Sequence, residues 1–210
     1  YTRSTWTRRS AAGSPAAPSK DDVQSENLIA NGDFRQGAIG SLPDNWSLGS
    51  GNPALKPSFK LVPGQDGKRE LMAESNGRQE CYGYLRHPVR IVGGKTYRMR
   101  ARFRFSSFED INRNLVHGVF TDKFNNGIFR YRKEGDRIIG EGHFPGPPED
   151  QEGEVRLYFR YSATGKVWWE QVSLEECMPI APRPVNLAVS WGTGDLKYWD
   201  RWLDAAGARG

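Results

Sequence analysis

The chain has 210 residues, enough for one sizeable domain with extensions, and its 12% aromatic content argues against disorder throughout. Its formal charge of +5 comes from 30 basic residues set among 25 acidic ones, with no block of like charge and no nucleic-acid-binding signature, so nucleic acid is not an expected partner. No apolar run approaches the roughly 18 residues that a membrane span needs, so none is expected.

Residues 1–26 are rich in Ser, Ala, Pro, Arg and Thr without periodicity, and read as a flexible lead-in. From Asn27 to about Cys177 the texture changes to short runs punctuated by turn pairs such as Asn31-Gly32, Pro43-Asp44, Gly93-Gly94 and Thr164-Gly165. Period-2 alternation marks the runs between them as half-buried strands. In TYRMRARFRF, Tyr97, Met99, Ala101, Phe103 and Phe105 point one way and Arg98, Arg100, Arg102 and Arg104 the other. In EVRLYFRY, Val155, Leu157, Phe159 and Tyr161 form the expected apolar face, opposite Arg156, Tyr158 and Arg160. Further strands are expected at 78–86, 116–122, 127–133, 136–144 and 166–174. Trp46 reads as core. Trp168 and Trp169 face opposite ways on one strand, so one belongs to the core and the other is partly exposed. Many short strands without helical patterns between them point to an antiparallel sandwich.

The opening Asn-Leu-Ile-Ala-Asn-Gly-Asp-Phe (27–34), the LPDNW turn and the closing Val-Trp-Trp-Glu-Gln-Val-Ser-Leu (167–174) carry a resemblance. They are similar to the first and last strands of the galactose-binding-type jelly roll of carbohydrate-binding modules. The resemblance implies a non-catalytic module that binds a polysaccharide or glycan on its loops or a concave face, in a secreted or otherwise extracytoplasmic protein. It also implies a structural calcium near the terminal strands, with Asp33 and Glu170 as the available ligands. Arg35 stands where that family places an acid, and a hard cation needs several oxygen ligands. No bound calcium or other cofactor is therefore expected.

Two readings attach to the arginine stripe at 98–104. In one, Arg98, Arg100 and Arg102 hold an anionic glycan while Tyr82, Tyr84, Tyr158 and Trp168 stack on its rings. In the other, the stripe is a solvated face whose arginines pair with acids on adjacent strands; this is favoured, because like charges facing each other across strands are destabilising. His87, His117 and His143 lack acidic or Cys partners at ligand spacing and read as structural or surface histidines. No catalytic constellation stands out. Cys81 and Cys177 are either bridged or two buried thiols.

Beyond Cys177, residues 178–184 carry prolines as a stiff linker would. Residues 185–210 then read as one strand, a Gly-containing turn and one helix, capped by Thr193 or Asp195. This unit resembles the opening of the nitrilase-type carbon–nitrogen hydrolase domain, an amide- or nitrile-cleaving family whose catalytic Glu, Lys and Cys would all lie past Gly210. The expected fold is thus an all-β, galactose-binding-domain-like jelly-roll sandwich, followed by a β-strand and α-helix from an incomplete α/β domain. The expected function is glycan binding by a fragment whose parent is a carbon–nitrogen hydrolase with its catalytic domain missing here. A stand-alone glycan-binding module and an accessory module of a glycosidase are the alternatives.

Overall fold

The computed structural model of the protein describes residues 23–49, 52–107, 110–128 and 130–179. Most of the expected flexible lead-in, the end of the Pro-rich linker and the βα unit at 185–210 lie outside the described residues.

Among the described residues, two antiparallel sheets build the domain. The strands are β1 (Ser47–Gly49), β2 (Ser58–Pro63), β3 (Arg69–Glu74), β4 (Tyr82–Ile91), β5 (Thr96–Ser106), β6 (Leu115–Phe120), β7 (Asn125–Gly127), β8 (Arg130–Glu134), β9 (Arg137–Pro145), β10 (Gln151–Arg160) and β11 (Lys166–Cys177). A one-turn helix, α1 (Ile111–Asn114), precedes β6 and is capped by the Asp110 side chain, which accepts from the Asn112 and Arg113 amides. One sheet has five strands in the order β1-β4-β10-β6-β7, and the other six in the order β2-β3-β11-β5-β9-β8. The result is the expected antiparallel jelly-roll sandwich.

Alternation explains the layers. Leu85, Val89 and Ile91 of β4 and Val155, Leu157 and Phe159 of β10 face inward from the five-stranded sheet. They meet Met99, Ala101 and Phe103 of β5 and Val167, Trp169, Val172 and Leu174 of β11. Strict alternation would not allow both Trp169 and Val172 to face in. A register shift between Trp169 and Gln171 inserts one extra residue, Glu170, and switches the parity of the strand at that point. Trp46 is buried, and so is Trp169, while Trp168 is half-buried on the outer face.

Three local features differ from the expected strands. Residues 27–34 form a looped segment rather than a strand. Asn27 bonds β11 through its side chain, accepting from the Leu174 amide at 3.0 Å and donating to the Val172 carbonyl at 3.2 Å. The chain loops there because Asn31 and Phe34 take positive φ. The run at 127–133 is divided: β7 pairs with β6 of one sheet and β8 with β9 of the other. Gly127 permits this crossing, since a β-carbon there would sit 2.1 Å from the His117 carbonyl oxygen. Finally, Val23 already pairs with Cys177, and the Gln24 amide donates to Glu176, so the described domain begins ahead of Asn27. Cys81 and Cys177 are both buried, and no disulfide bridges them.

At the centre of the core, His117 of β6 is fully buried between Trp169 of β11 and Tyr131 of β8. Trp Nε1 only donates, so His117 Nε2 must accept and its proton is assigned to Nδ1, directed at the Tyr131 oxygen 3.1 Å away. Burial pushes the imidazole pKa down to about 3, so the ring is neutral.

Candidate functional site

The outer face of an antiparallel sheet is ordinarily polar. On the five-stranded sheet it instead carries a patch of aromatic rings, set by the register of β10 between β4 and β6. Tyr158 lies directly opposite Tyr84 on one side and Val116 on the other, and Arg156 opposite Arg86 and Gly118. That register places Tyr82, Tyr84, Phe120 and Tyr158 together. Ring centroids are 4.6 Å apart for Tyr84 and Tyr158, 5.7 Å for Tyr82 and Tyr158, and 5.7 Å for Phe120 and Tyr158. Tyr158 is only 7% exposed, so it supports its neighbours from below, while Tyr82, Tyr84 and Phe120 are half-buried around it.

Arg156 locks the patch. Its guanidinium lies 4.9 Å from the Tyr84 ring centre and 4.8 Å from that of Phe120, in cation–π geometry. It donates to Tyr158 Oη at 3.2 Å and to Glu154 at 2.8 Å. Burial works against its charge, but the bonds to Tyr158 and Glu154 outweigh that and raise its pKa. Glu154 also pairs with Arg86 at 3.0 Å, and Arg86 donates to Ser47 Oγ. On the other flank Tyr84 covers Gly49, where a β-carbon would meet Cε2 of the ring at 2.2 Å.

One end of the patch carries a residue that sequence reasoning placed in the core. Tyr161 follows β10, and alternation predicts an inward ring. Its backbone instead takes the left-handed conformation (φ 55°), which breaks the alternation, and the side chain is 42% exposed. Its ring sits 5.8 Å from Tyr82, with the Arg160 guanidinium 5.4 Å from its centre. Tyr161, Tyr82, Asn52, Leu55 and Glu80 line a surface depression of about 350 Å³.

The other sequence candidates lie on the outer face of the six-stranded sheet. There Arg98 pairs with Glu175 at 2.7 Å, Arg100 with Glu141 at 3.0 Å, Arg102 with Glu170 at 2.9 Å and Arg104 with Glu70 at 2.6 Å. Arg104 reaches Glu70 by crossing Trp168, its guanidinium 4.2 Å from the ring centre. The structure thus brings Tyr82, Tyr84 and Tyr158 together and separates them, on a different sheet, from Arg98, Arg100, Arg102 and Trp168. Phe120, Arg156 and Tyr161 escaped the sequence reading. For Arg156 and Tyr161 the signal was the repeated Arg-aromatic pairing at the end of β10, whereas Phe120 on β6 joins the patch only through the strand order.

The calcium implied by the jelly-roll resemblance finds no suitable donor set. Asp33 is engaged by Arg35 at 2.9 Å, and Glu170 by both Arg102 and Arg137. Among the described residues no group of three or more His, Cys, Asp or Glu side chains is placed to hold a metal.

No protein-family model and no curated protein matches the sequence. Solved structures do match the sandwich. The enzymatically active domain of bacteriophage CBA120 tailspike protein 4 superposes with a TM-score of 0.50 at 12% identity, over 71% of this chain. The match spans only 21% of that solved domain's chain. The CBM22-1 xylan-binding domain of Paenibacillus barcinonensis Xyn10C gives a TM-score of 0.49 at 9% identity, covering 70% of this chain and 93% of that one. The CBM22-1 and GH10 modules of the Clostridium thermocellum endo-1,4-β-D-xylanase 10B, complexed with xylohexaose, give 0.48 at 11% identity over 72% and 29% of the two chains. At such identities the likeness concerns the fold.

Proposed function

We propose that the described domain is a non-catalytic glycan-binding module, with the outer face of the five-stranded sheet as its binding surface. The observation that carries this reading is the aromatic patch of Tyr82, Tyr84, Phe120 and Tyr161, built on buried Tyr158 and braced by Arg156. Flat rings on a rigid sheet offer apolar faces to the C–H faces of sugar rings, while adjacent hydroxyl, carboxylate and guanidinium groups offer hydrogen bonds to sugar hydroxyls. Partly exposed aromatic surface gathered on an outer sheet face supports the reading of an interaction surface. The arginine stripe of β5 supports the reading less, because each guanidinium already holds a carboxylate. An extracytoplasmic location belongs to the same proposal and rests on the ligand class alone.

Affinity electrophoresis tests the reading. Mobility of the full chain is expected to fall in gels containing one or more soluble polysaccharides, and a Tyr82→Ala, Tyr84→Ala double variant is expected to run as it does without glycan. Retention that is unchanged in the double variant would move the site elsewhere. The carbon–nitrogen hydrolase reading of residues 185–210 is a separate proposal, supported only by the pattern of that segment. Sequence downstream of Gly210 tests it, with a second buried strand ending in Glu as the expected result.

A further inference from the structure

We propose that the depression beside Tyr161 is a subsite for a single uncharged pyranose ring, placed at the end of the aromatic patch. The inference rests on the glycan-binding reading and names the class of sugar for one part of that surface.

The backbone at Tyr161 provides the first argument. A non-glycine residue at φ 55° is uncommon and strained, and persists only where its surroundings over-determine it. Here the Tyr161 amide donates to the Cys81 carbonyl at 2.6 Å. Its carbonyl accepts from Gln79 Nε2 at 3.0 Å and from the buried Asn114 Nδ2 at 3.1 Å. Three hydrogen bonds, two from the 79–81 segment and one from α1, hold the backbone in this conformation. The residue stays 42% exposed, so this conformation does not place the ring in the core.

The surrounding chemistry provides the second. About 350 Å³ lies within the range of small-molecule sites and accommodates one sugar ring with its hydroxyls. Tyr161 and Tyr82, tilted 40° to each other, supply aromatic surface, and Leu55 adds an aliphatic edge. Asn52 and Glu80 stand beside them and contribute only a small part of the surface. The wall is rigid: Asn52 caps the short 3-10 turn Pro53–Leu55 by accepting from the Ala54 amide at 3.0 Å, and Asn76 Nδ2 holds the Ala54 carbonyl at 3.2 Å. The surface the depression exposes is mainly aromatic and aliphatic, which suits the apolar C–H face of a sugar ring.

Charge chooses between sugar classes. Glu80 is the charged group of the lining, while Arg160 lies over Tyr161 outside it and donates to the Arg113 carbonyl. A carboxylate accepts hydrogen bonds from sugar hydroxyls and repels a uronate or sulfate. The ring that fits is therefore neutral.

Calorimetric titration of the full chain tests this, with xylohexaose, cellohexaose, mannohexaose and β-1,4-galactotriose as neutral probes and an oligogalacturonate as the acidic one. Tyr161→Asn removes the ring yet tolerates the left-handed backbone, and Tyr161→Phe keeps the ring. The expected result is binding of a neutral probe, weakened about tenfold or more by Tyr161→Asn and restored by Tyr161→Phe, with circular dichroism unchanged. Wild-type affinity in Tyr161→Asn, with affinity lost in Tyr84→Ala, would overturn the subsite and leave the glycan reading standing. Preference for the oligogalacturonate, strengthened further by Glu80→Gln, would overturn the neutral class. Absence of binding to every probe at millimolar concentration would overturn both.

Discussion

Trp169 on one sheet donates its indole N–H to His117 Nε2 on the other, at 2.8 Å, within the core. The bond ties the two layers together directly, and it exists only while His117 is neutral. Protonation would turn its acceptor into a second donor facing the indole N–H.

Stability should therefore depend on pH in a defined direction. The folded His117 pKa is about 3, against 6.5 for an ordinary imidazole. Between these values the unfolded chain binds the proton and the folded chain does not, so stability is full above about pH 6.5 and falls as the pH drops toward 3. Burial also lowers the pKa of His87, which acts in the same direction. Urea midpoints between pH 7.5 and 5 should decline in the wild type and decline less steeply in His117→Gln. Equal slopes would show that His117 does not carry the effect.

The arginine stripe should be energetically uneven despite its regular spacing. Glu70 is 2% exposed and depends on Arg104, so Arg104→Ala leaves a buried carboxylate uncompensated and should cost about 3–5 kcal/mol. Arg102 is half-exposed, and Glu170 keeps Arg137 when Arg102 is lost, so Arg102→Ala should cost about 1 kcal/mol or less. Chemical denaturation separates the two. The reverse order would contradict the burial argument.

Gly49→Ala probes the patch without removing any of its rings. The new methyl would occupy space taken by the Tyr84 ring, 2.2 Å away, on a three-residue edge strand. Tyr84 must tilt away, so glycan retention should drop several-fold while the melting temperature falls only a few degrees. Unchanged retention would mean that the orientation of Tyr84 does not matter for binding.

Asn114 is a positioning residue for Tyr161. Its buried amide donates to the Arg160 and Tyr161 carbonyls at 3.0 and 3.1 Å. Asn114→Ala should cost about 1–3 kcal/mol in stability, since it leaves two carbonyls short of a donor. It should also weaken glycan binding, and Asn114→Asp should rescue neither property, because an ionised carboxylate cannot donate. Full binding in Asn114→Ala would show that Tyr161 holds its conformation without this anchor.

What was legible in the sequence was whatever depends on local alternation. The outward arginines and inward apolar residues of β5 could be read in order, as could the opposite faces of Trp168 and Trp169. Features set by contacts between distant segments could not. The bulge at Glu170 and the left-handed turn at Tyr161 each interrupt a clean period-2 pattern. The latter is fixed by Cys81, Gln79 and Asn114, all remote in sequence. The pairing of Tyr84 with Tyr158 likewise depends on which strands lie side by side. Tyr82, Tyr84 and Tyr158 were recognisable as binding candidates, but their separation from the arginines needed the sheet order.

The strand β8 closes one side of the six-stranded sheet with Arg130, Arg132, Lys133 and Glu134 exposed along its five residues. A free strand edge is a template on which another chain can continue the sheet. Any such chain would first have to strip water from this run of charges. Growth of the sheet into a stack of molecules is thereby discouraged on that side.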